Sequence, residues 1–348
     1  MPLTALITGG LGYIGSHVTK ALHQRGWRTI VIDTRGNPQL SKYVDQFYAI
    51  DIRSDLSGPM ESNQINAVFH LAGLIDVAES TQYPSLYHHV NVGGTINLLH
   101  FMEMYQVPHL VFSSSAAVYG APVPGYDEPL QQVFCEYHEK DPVNPYGTSK
   151  WMAEQIIKEM RSVGIDSVCL RYFNVAGADP DREMGENHEC ETHFIPRILA
   201  QAASKYPLVE IFGNDYETHD GTCIRDYVHV SDVAMAHMNA VEFLLNNGPT
   251  ASFNIGLGMG YSNREVVQTV SALSGVNLLT RFKPRRVGDP PALIADPSNA
   301  KQFLHFRPQY ELTDMIRTAM KWTAQGTVDS NLAKSAVTNQ FCRCSWIF

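Results

Sequence analysis

The chain has 348 residues, more than one hydrophobic core usually fills, and its 44% hydrophobic and 18% charged content is that of an ordinary soluble enzyme. A formal net charge of −9 excludes a general binder of nucleic acid or of anionic membranes. An anionic ligand must then find locally placed cations, so individual arginines become informative.

Met1-Pro2 runs straight into LTALIT (3–8), without a charged leader or a long apolar stretch. No signal peptide, no transmembrane helix and a cytoplasmic location are therefore expected. LTALIT itself reads as a buried first strand. The segment LITGGLGYIGSHV leads from it into a helix expected over 13–25. Gly10, Gly12 and Gly15 fit G-x-G-x-x-G, while Gly9, Gly12 and Gly15 fit the G-x-x-G-x-x-G variant. Such glycines permit a tight turn and bring backbone N–H groups to a pyrophosphate at the helix N-terminus. RTIVID (28–33) is the second strand and ends in Asp33. A carboxylate there accepts hydrogen bonds from an adenosine ribose and repels a 2′-phosphate, which favours NAD. Arg35 points the other way, because an arginine can pair that phosphate. AIDIRS (49–54) ends a third strand, with Asp51 placed to meet an adenine edge.

AVFHLAG (67–73) and HLVFSSS (109–115) read as strands four and five, with a helical stretch over 88–105 between them. The run Ser113-Ser114-Ser115 ends the fifth strand, where serines can simply satisfy backbone groups. NPYGTSKWMAEQI (144–156) opens a helix expected over 146–163. Pro145 suits an early helical position. Tyr146 and Lys150 stand at i and i+4, on one face with Cβ atoms roughly 6 Å apart, so they can address one small molecule. By themselves they also fit a helix-start aromatic and a solvated surface charge. SVCLRYFNV (167–175) is a further strand.

Short apolar runs alternating with helices predict an α/β fold, a doubly wound, Rossmann-like parallel sheet whose ligands sit beyond the carboxyl ends of the strands. After about 176 the alternation loosens. Residues 1–175 are expected to form an NAD-binding domain and 176–326 a smaller mixed α/β domain, free to interleave with the first, that is mainly for substrate. Residues 327–348 read as a tail ending in QFCRCSWIF. Six cysteines (Cys135, Cys169, Cys190, Cys223, Cys342, Cys344) lack metal-ligand or disulfide-framework spacing, as reduced thiols do. No metal site is expected.

The segments TGGLGYIGSH, HLAG, SSSAAVYG, NPYGTSK, LRYFNVAGADP, IFGNDYETHDGTCIRDYVHVSDVA and PRRVGDPPALIADPSNA together resemble the extended short-chain dehydrogenase/reductase family. Within it the chain is similar to the UDP-glucose (UDP-galactose) 4-epimerases, over about residues 3 to 325. The resemblance implies a homodimer, a tightly held NAD and a UDP-sugar substrate. Tyr146 would be the general base, Ser115 the partner that positions the sugar hydroxyl, and Lys150 the group that tunes the phenol and holds the nicotinamide ribose. A free phenol has a pKa of ~10, so bringing it near 7 takes roughly 4 kcal/mol of anion stabilisation. Further cofactor contacts are implied at Tyr13, Ile14, Ile52, Leu71, Ala72, Gly73, Asn91 and Phe173.

For the substrate, the resemblance implies Asn174 and Phe194, Arg225 and Arg286 as a clamp on the diphosphate, Asp289 on the uridine ribose and Phe212 at the uracil. Two arginines suit a diphosphate through their fork of donors. Each could instead be a surface ion pair, Arg225 with Asp226 for example. Three positions depart from the pattern: His193 replaces an asparagine, Ile75 a lysine, and Leu293 a bulky tyrosine at the sugar pocket. The extra space beside Leu293 suggests that N-acetylhexosamine forms are accepted too. UDP-pentoses and UDP-uronic acids are alternatives, as is a nucleotide-sugar reductase or dehydrogenase. A dehydratase would carry Thr-Asp-Glu where this chain has Ser115-Ala116-Ala117, and a non-catalytic dinucleotide sensor would need neither Tyr146 nor Lys150.

Overall fold

The computed structural model describes residues 2–120, 133–188, 191–286 and 289–325. Cys190, Cys342, Cys344 and the 327–348 tail lie outside these residues. Fourteen strands and eleven α-helices follow one another along the described chain. The first part runs β1 (Thr4–Thr8), α1 (Tyr13–Gln24), β2 (Arg28–Asp33), β3 (Gln46–Ala49), α2 (Ser57–Glu61), β4 (Ala67–His70), α3 (Val77–Gln82), α4 (Pro84–Tyr87), α5 (Gly94–Met104) and β5 (His109–Ser115). Then come β6 (Val133–Phe134), α6 (Pro145–Glu159), β7 (Asp166–Tyr172), β8 (Asn174–Ala176), α7 (Phe194–Ala202), β9 (Leu208–Phe212) and β10 (Ile224–His229). The last part is α8 (Val230–Leu245), β11 (Ala251–Ile255), β12 (Gly260–Ser262), α9 (Asn263–Ser274), β13 (Leu279–Lys283), β14 (Ala292–Ala295), α10 (Ser298–Phe303) and α11 (Leu312–Thr323).

The main sheet has seven strands in the order β11-β7-β5-β4-β1-β2-β3, all parallel. Its central strands are buried throughout because helices cover both faces: every residue of β1 and of β4 is buried. One core packs α1 and α8 on one face through Val18, Leu22, Val233 and Val241, and a second packs α5 and α6 on the other through Leu98, Met102, Ala153 and Ile157. Each of these valine, leucine, isoleucine and methionine side chains contributes about 1.5–3 kcal/mol on burial. Strand order reverses at β1, so β1 and β4 diverge in their connections and leave a crevice at their carboxyl ends.

The run expected as one strand over 167–175 is two. Phe173 breaks it, donating its N–H to Ile255 O at 3.1 Å. Tyr172 stays in the main sheet, while Asn174 pairs with Tyr227 in a second sheet containing β10, β12, β14 and β6. The chain also returns: β11 forms the outer strand of the main sheet beside β7. A third core, with Ile195, Ile198, Val266, Val270 and Ile316, supports the smaller sheets. No helix among the described residues is long and apolar enough to cross a membrane.

Candidate active site

A cleft of about 700 Å³ opens beyond the carboxyl ends of β1, β4 and β5, and the smaller sheet closes its other side. Its first wall is made of backbone. Gly9 adopts φ +68°, and a Cβ on Gly15 would lie 2.0 Å from Gly9 O, so only glycine lets α1 start so close to the turn. Gly12 caps α1 with no side chain, and the first turn holds no acid. Free N–H groups and the positive end of the helix dipole thus face the cleft, as a pyrophosphate requires. Asp33 Oδ2 accepts from Leu11 N–H at 3.0 Å and Oδ1 from Arg35 N–H at 3.2 Å, which fixes the carboxylate at the cleft edge. Arg53 holds Asp51 through its side chain at 2.7 and 2.8 Å, and this hydrogen bonding keeps the Asp51 pKa below the ordinary range. Tyr13, Ile14, Ile52, Leu71, Ala72, Gly73 and Phe173 all line the cleft. These residues fit NAD.

Asn91 does not line it. It is buried behind Gly73, accepts from Leu74 N–H at 2.8 Å and donates to Ser149 Oγ at 2.9 Å. Its side chain ties the turn after β4 to α6, which is a positioning role.

The sequence NPYGTSK explains how α6 reaches the cleft. The Asn144 side chain caps the helix by accepting from Gly147 N–H at 2.8 Å, and Pro145 takes the first position. A Cβ at Gly147 would sit 2.4 Å from Ala117 O, so glycine there brings the helix against the turn after β5. Ser115, Tyr146 and Lys150 consequently converge. Ser115 hydrogen-bonds the Tyr146 phenol. Lys150 Nζ donates to Ser113 O at 2.8 Å and stands 6.0 Å from the Tyr146 ring centre.

The electrostatics differ from the sequence expectation. Burial pushes the Tyr146 phenol above its ordinary pKa, with the Ser115 hydrogen bond pulling it down in part. The Lys150 ammonium lies over the Tyr146 ring and is held there by its bond to Ser113 O. Burial in turn lowers Lys150 to about 8, against the opposing charge of Glu154 one turn on. Glu154 was not anticipated. It forms a buried ion pair with Arg171 at 2.6 Å and accepts from Ser114 Oγ, locking α6 to β5 and β7. The i+4 spacing from Lys150 is the signal that could have revealed it.

The second wall is made of side chains from separate elements. Asn174 on β8, Phe194 at the start of α7, and Arg225 and Leu293 on neighbouring strands β10 and β14 all face the cleft. Arg225 donates to Pro290 O at 2.9 Å and stands 3.5 Å from Asp289, itself a cleft residue. It is no ion pair with Asp226, whose buried carboxylate accepts from the N–H groups of Leu257, Gly258 and Ala295. Arg286 and Phe212 are not among the lining residues. The guanidinium instead stacks on the Phe212 ring at 4.1 Å, a cation–π contact beside the cleft. Ile75, 45% exposed, and His193 both line the rim, together with Thr34, Val143, Tyr172 and His188, which the sequence did not single out.

Residues 5–256 match the model of the NAD dependent epimerase/dehydratase family. The chain belongs to this family. A UDP-glucose 4-epimerase from Halalkalibacterium halodurans is 41% identical over 325 residues, spanning 92% of this chain and 95% of that one. The crystal structure of the Brucella ovis UDP-glucose 4-epimerase in complex with NAD superposes with a TM-score of 0.86 at 41% identity, covering 92% of this chain and 98% of that chain. A UDP-Glc/GlcNAc 4-epimerase from Campylobacter jejuni gives a TM-score of 0.78 at 35% identity, covering 93% of this chain and 99% of the other. The cofactor of this epimerase is NAD, and the backbone wall is where it fits.

Proposed function

We propose that the protein interconverts UDP-glucose and UDP-galactose at C4 of the sugar. The observation that carries this reading is the meeting of Tyr146, Ser115 and Lys150 at one cleft. When bound, NAD supplies a two-electron acceptor that gives the same electrons back, so no outside reductant is consumed. Tyr146 takes the proton of the C4 hydroxyl while Ser115 holds that hydroxyl in line, and the sugar becomes a 4-ketone. The ketone then turns its other face, and Tyr146 returns the proton to the oxygen of the inverted alcohol. Lys150 favours the phenolate form once the site is charged, and its Ser113 bond keeps it on the Tyr146 face of α6.

Arg225 would hold the diphosphate, with Asn174 and Asp289 on neighbouring oxygens. Arg286 and Phe212 would serve the nucleotide from beside the cleft. A dehydratase reading is disfavoured by Ala116 and Ala117, which offer no second acid and base to expel water. Leu293 supports a broader sugar range, because leucine leaves more room beside the sugar C2 substituent than a tyrosine does. We therefore read UDP-N-acetylglucosamine as a second substrate. The protein would act in the cytoplasm as a homodimer, for which Ile96 and Met104 on α5 and Met152 on α6 provide exposed apolar side chains. Its first 175 residues would mainly bind cofactor and residues 176–326 mainly substrate. Incubation with a panel of UDP-sugars, without added reductant, tests the reading. Interconversion of the glucose and galactose forms is expected, and a panel with no C4 epimer formed would overturn it.

A further inference from the structure

One cluster at the rim of the cleft has no part in the proton chemistry. Glu186, His188, Glu191 and His193 each offer one ligand atom, and the four atoms all lie within 4.8 Å of one another. His188 Nδ1 is 3.4 Å from Glu186 Oε1 and 3.3 Å from Glu191 Oε2. His193 Nδ1 is 3.6 Å from Glu191 Oε1 and makes its closest approach to Glu186 Oε1. The two glutamate side chains are only 6% and 4% exposed. Two carboxylates so close together and so withdrawn from water repel each other, and they need positive charge between them.

Two sources of that charge predict different spacings. Charge-assisted N–H to carboxylate hydrogen bonds run at about 2.7–2.9 Å. A tetrahedral zinc-type ion, with nitrogen and oxygen ligands at about 2.0–2.2 Å, sets neighbouring ligand atoms about 3.3 Å apart. His188 Nδ1 stands at the second spacing from one oxygen of each glutamate, 3.4 Å from Glu186 Oε1 and 3.3 Å from Glu191 Oε2, whereas His193 Nδ1 hydrogen-bonds Glu186 Oε1 and would exchange that bond for the ion. The two rings meet edge to face with centres 5.2 Å apart.

We propose that Glu186, His188, Glu191 and His193 bind one divalent transition-metal ion of the zinc type. Two imidazoles with two carboxylates select zinc over magnesium or calcium, which take oxygen ligands almost alone. The pattern is legible along the chain as E-x-H-x-x-E-x-H, over residues 186 to 193. The surroundings suit a clip more than a catalyst. Trp322 on α11 donates its indole N–H to Glu186 O at 3.1 Å, anchoring one end of the cluster. At the other end His193 is the N-cap residue of α7 and immediately precedes Phe194, which lines the cleft. An ion here ties α7 to the segment after β8 and so fixes the rim of the substrate wall.

The test uses the full chain with its NAD, stripped by a chelator and then exposed to micromolar free zinc before gel filtration. One zinc per chain is expected by mass spectrometry, and Co2+ in its place should give the intense visible d–d bands of a four-coordinate site. The double variant His188→Ala/Glu191→Gln should carry less than a tenth of that zinc and show no such bands, whereas Cys342→Ser/Cys344→Ser should bind as the wild type does. If the double variant loses its NAD or aggregates, His188→Gln alone is read for the same loss. Wild-type protein that takes up no zinc, a histidine variant that binds it undiminished, or loss of zinc in the cysteine variant would each overturn the site. Metal content is read independently of turnover, so the outcome stands whichever sugar the enzyme accepts.

Discussion

The two walls of the cleft are built by different means. The cofactor wall is largely one stretch of backbone, from Gly9 to Gly15, with Asp33 and Asp51 closing strand ends beside it. The substrate wall gathers side chains from β8, α7, β10 and β14, elements far apart in sequence that only the fold brings together. A backbone wall recognises the shape of a pyrophosphate and tolerates little change. A side-chain wall can be changed one residue at a time without moving the backbone. Tyr146, the proposed base, sits at the seam on α6, behind which lies the polar lattice of Glu154, Arg171 and Ser114.

That lattice is the most sensitive point. Arg171→Met leaves the buried Glu154 carboxylate without its partner, and stability should fall by roughly 3–5 kcal/mol. Chemical denaturation measures it, and an unchanged midpoint would show that the pair does not lock α6 in place. At the seam itself, Tyr146→Phe should lower kcat by a factor on the order of 10² or more, with UDP-sugar and NAD binding nearly intact. Turnover within about threefold of wild type would remove the phenol from the base role.

Arg225→Ala tests the side-chain wall and should weaken UDP by about 1.5–3 kcal/mol, as expected for a charge-assisted bond. Arg286→Ala, outside the cleft lining and stacked on Phe212, should cost less. Calorimetry that reversed this ranking would place Arg286, and not Arg225, on the diphosphate. Gly15→Ala tests the backbone wall. Its Cβ meets a carbonyl oxygen and not a flexible side chain, so a loss of about 1–3 kcal/mol in stability and reduced NAD retention are expected. Full NAD content after gel filtration would mean that the turn yields more than its geometry suggests. The smallest effect is a change of preference. Leu293→Tyr should disfavour UDP-N-acetylglucosamine over UDP-glucose by up to ~1–3 kcal/mol in kcat/KM. Equal loss of both sugars would show that position 293 does not select at C2.

How legible each wall was in the sequence follows from how it is built. The glycine turn, Asp33 and the Tyr146–Lys150 pair are local patterns, readable because spacing alone fixes which residues share a turn or a helical face. The parallel sheet followed from the apolar runs for the same reason. Phe173 was harder: the run through 167–175 holds no glycine or proline, and nothing local marks where a strand leaves one sheet for another. The buried pairing of Glu154 with Arg171 depends on β7 lying beside β5, a long-range fact. The burial that raises the Tyr146 pKa is not written in the spacing, because it depends on the strands and loops that close over α6. Arg286 and Phe212 came from resemblance alone, and in the structure they stack together beside the cleft. His188 and Glu191 stand outside any helix or strand, so no period fixes which of their neighbours they meet.

The direct test of redox-neutral epimerisation is the fate of the hydrogen on C4. UDP-galactose deuterated at C4 is incubated with the NAD-loaded protein in ordinary water, and the UDP-glucose formed is analysed by mass spectrometry and NMR. Full retention of deuterium at the inverted C4 is the expected result, because the same electron pair and hydrogen return to the carbon they left. Loss of the label to solvent, or an inverted product formed only with added reductant, would contradict it.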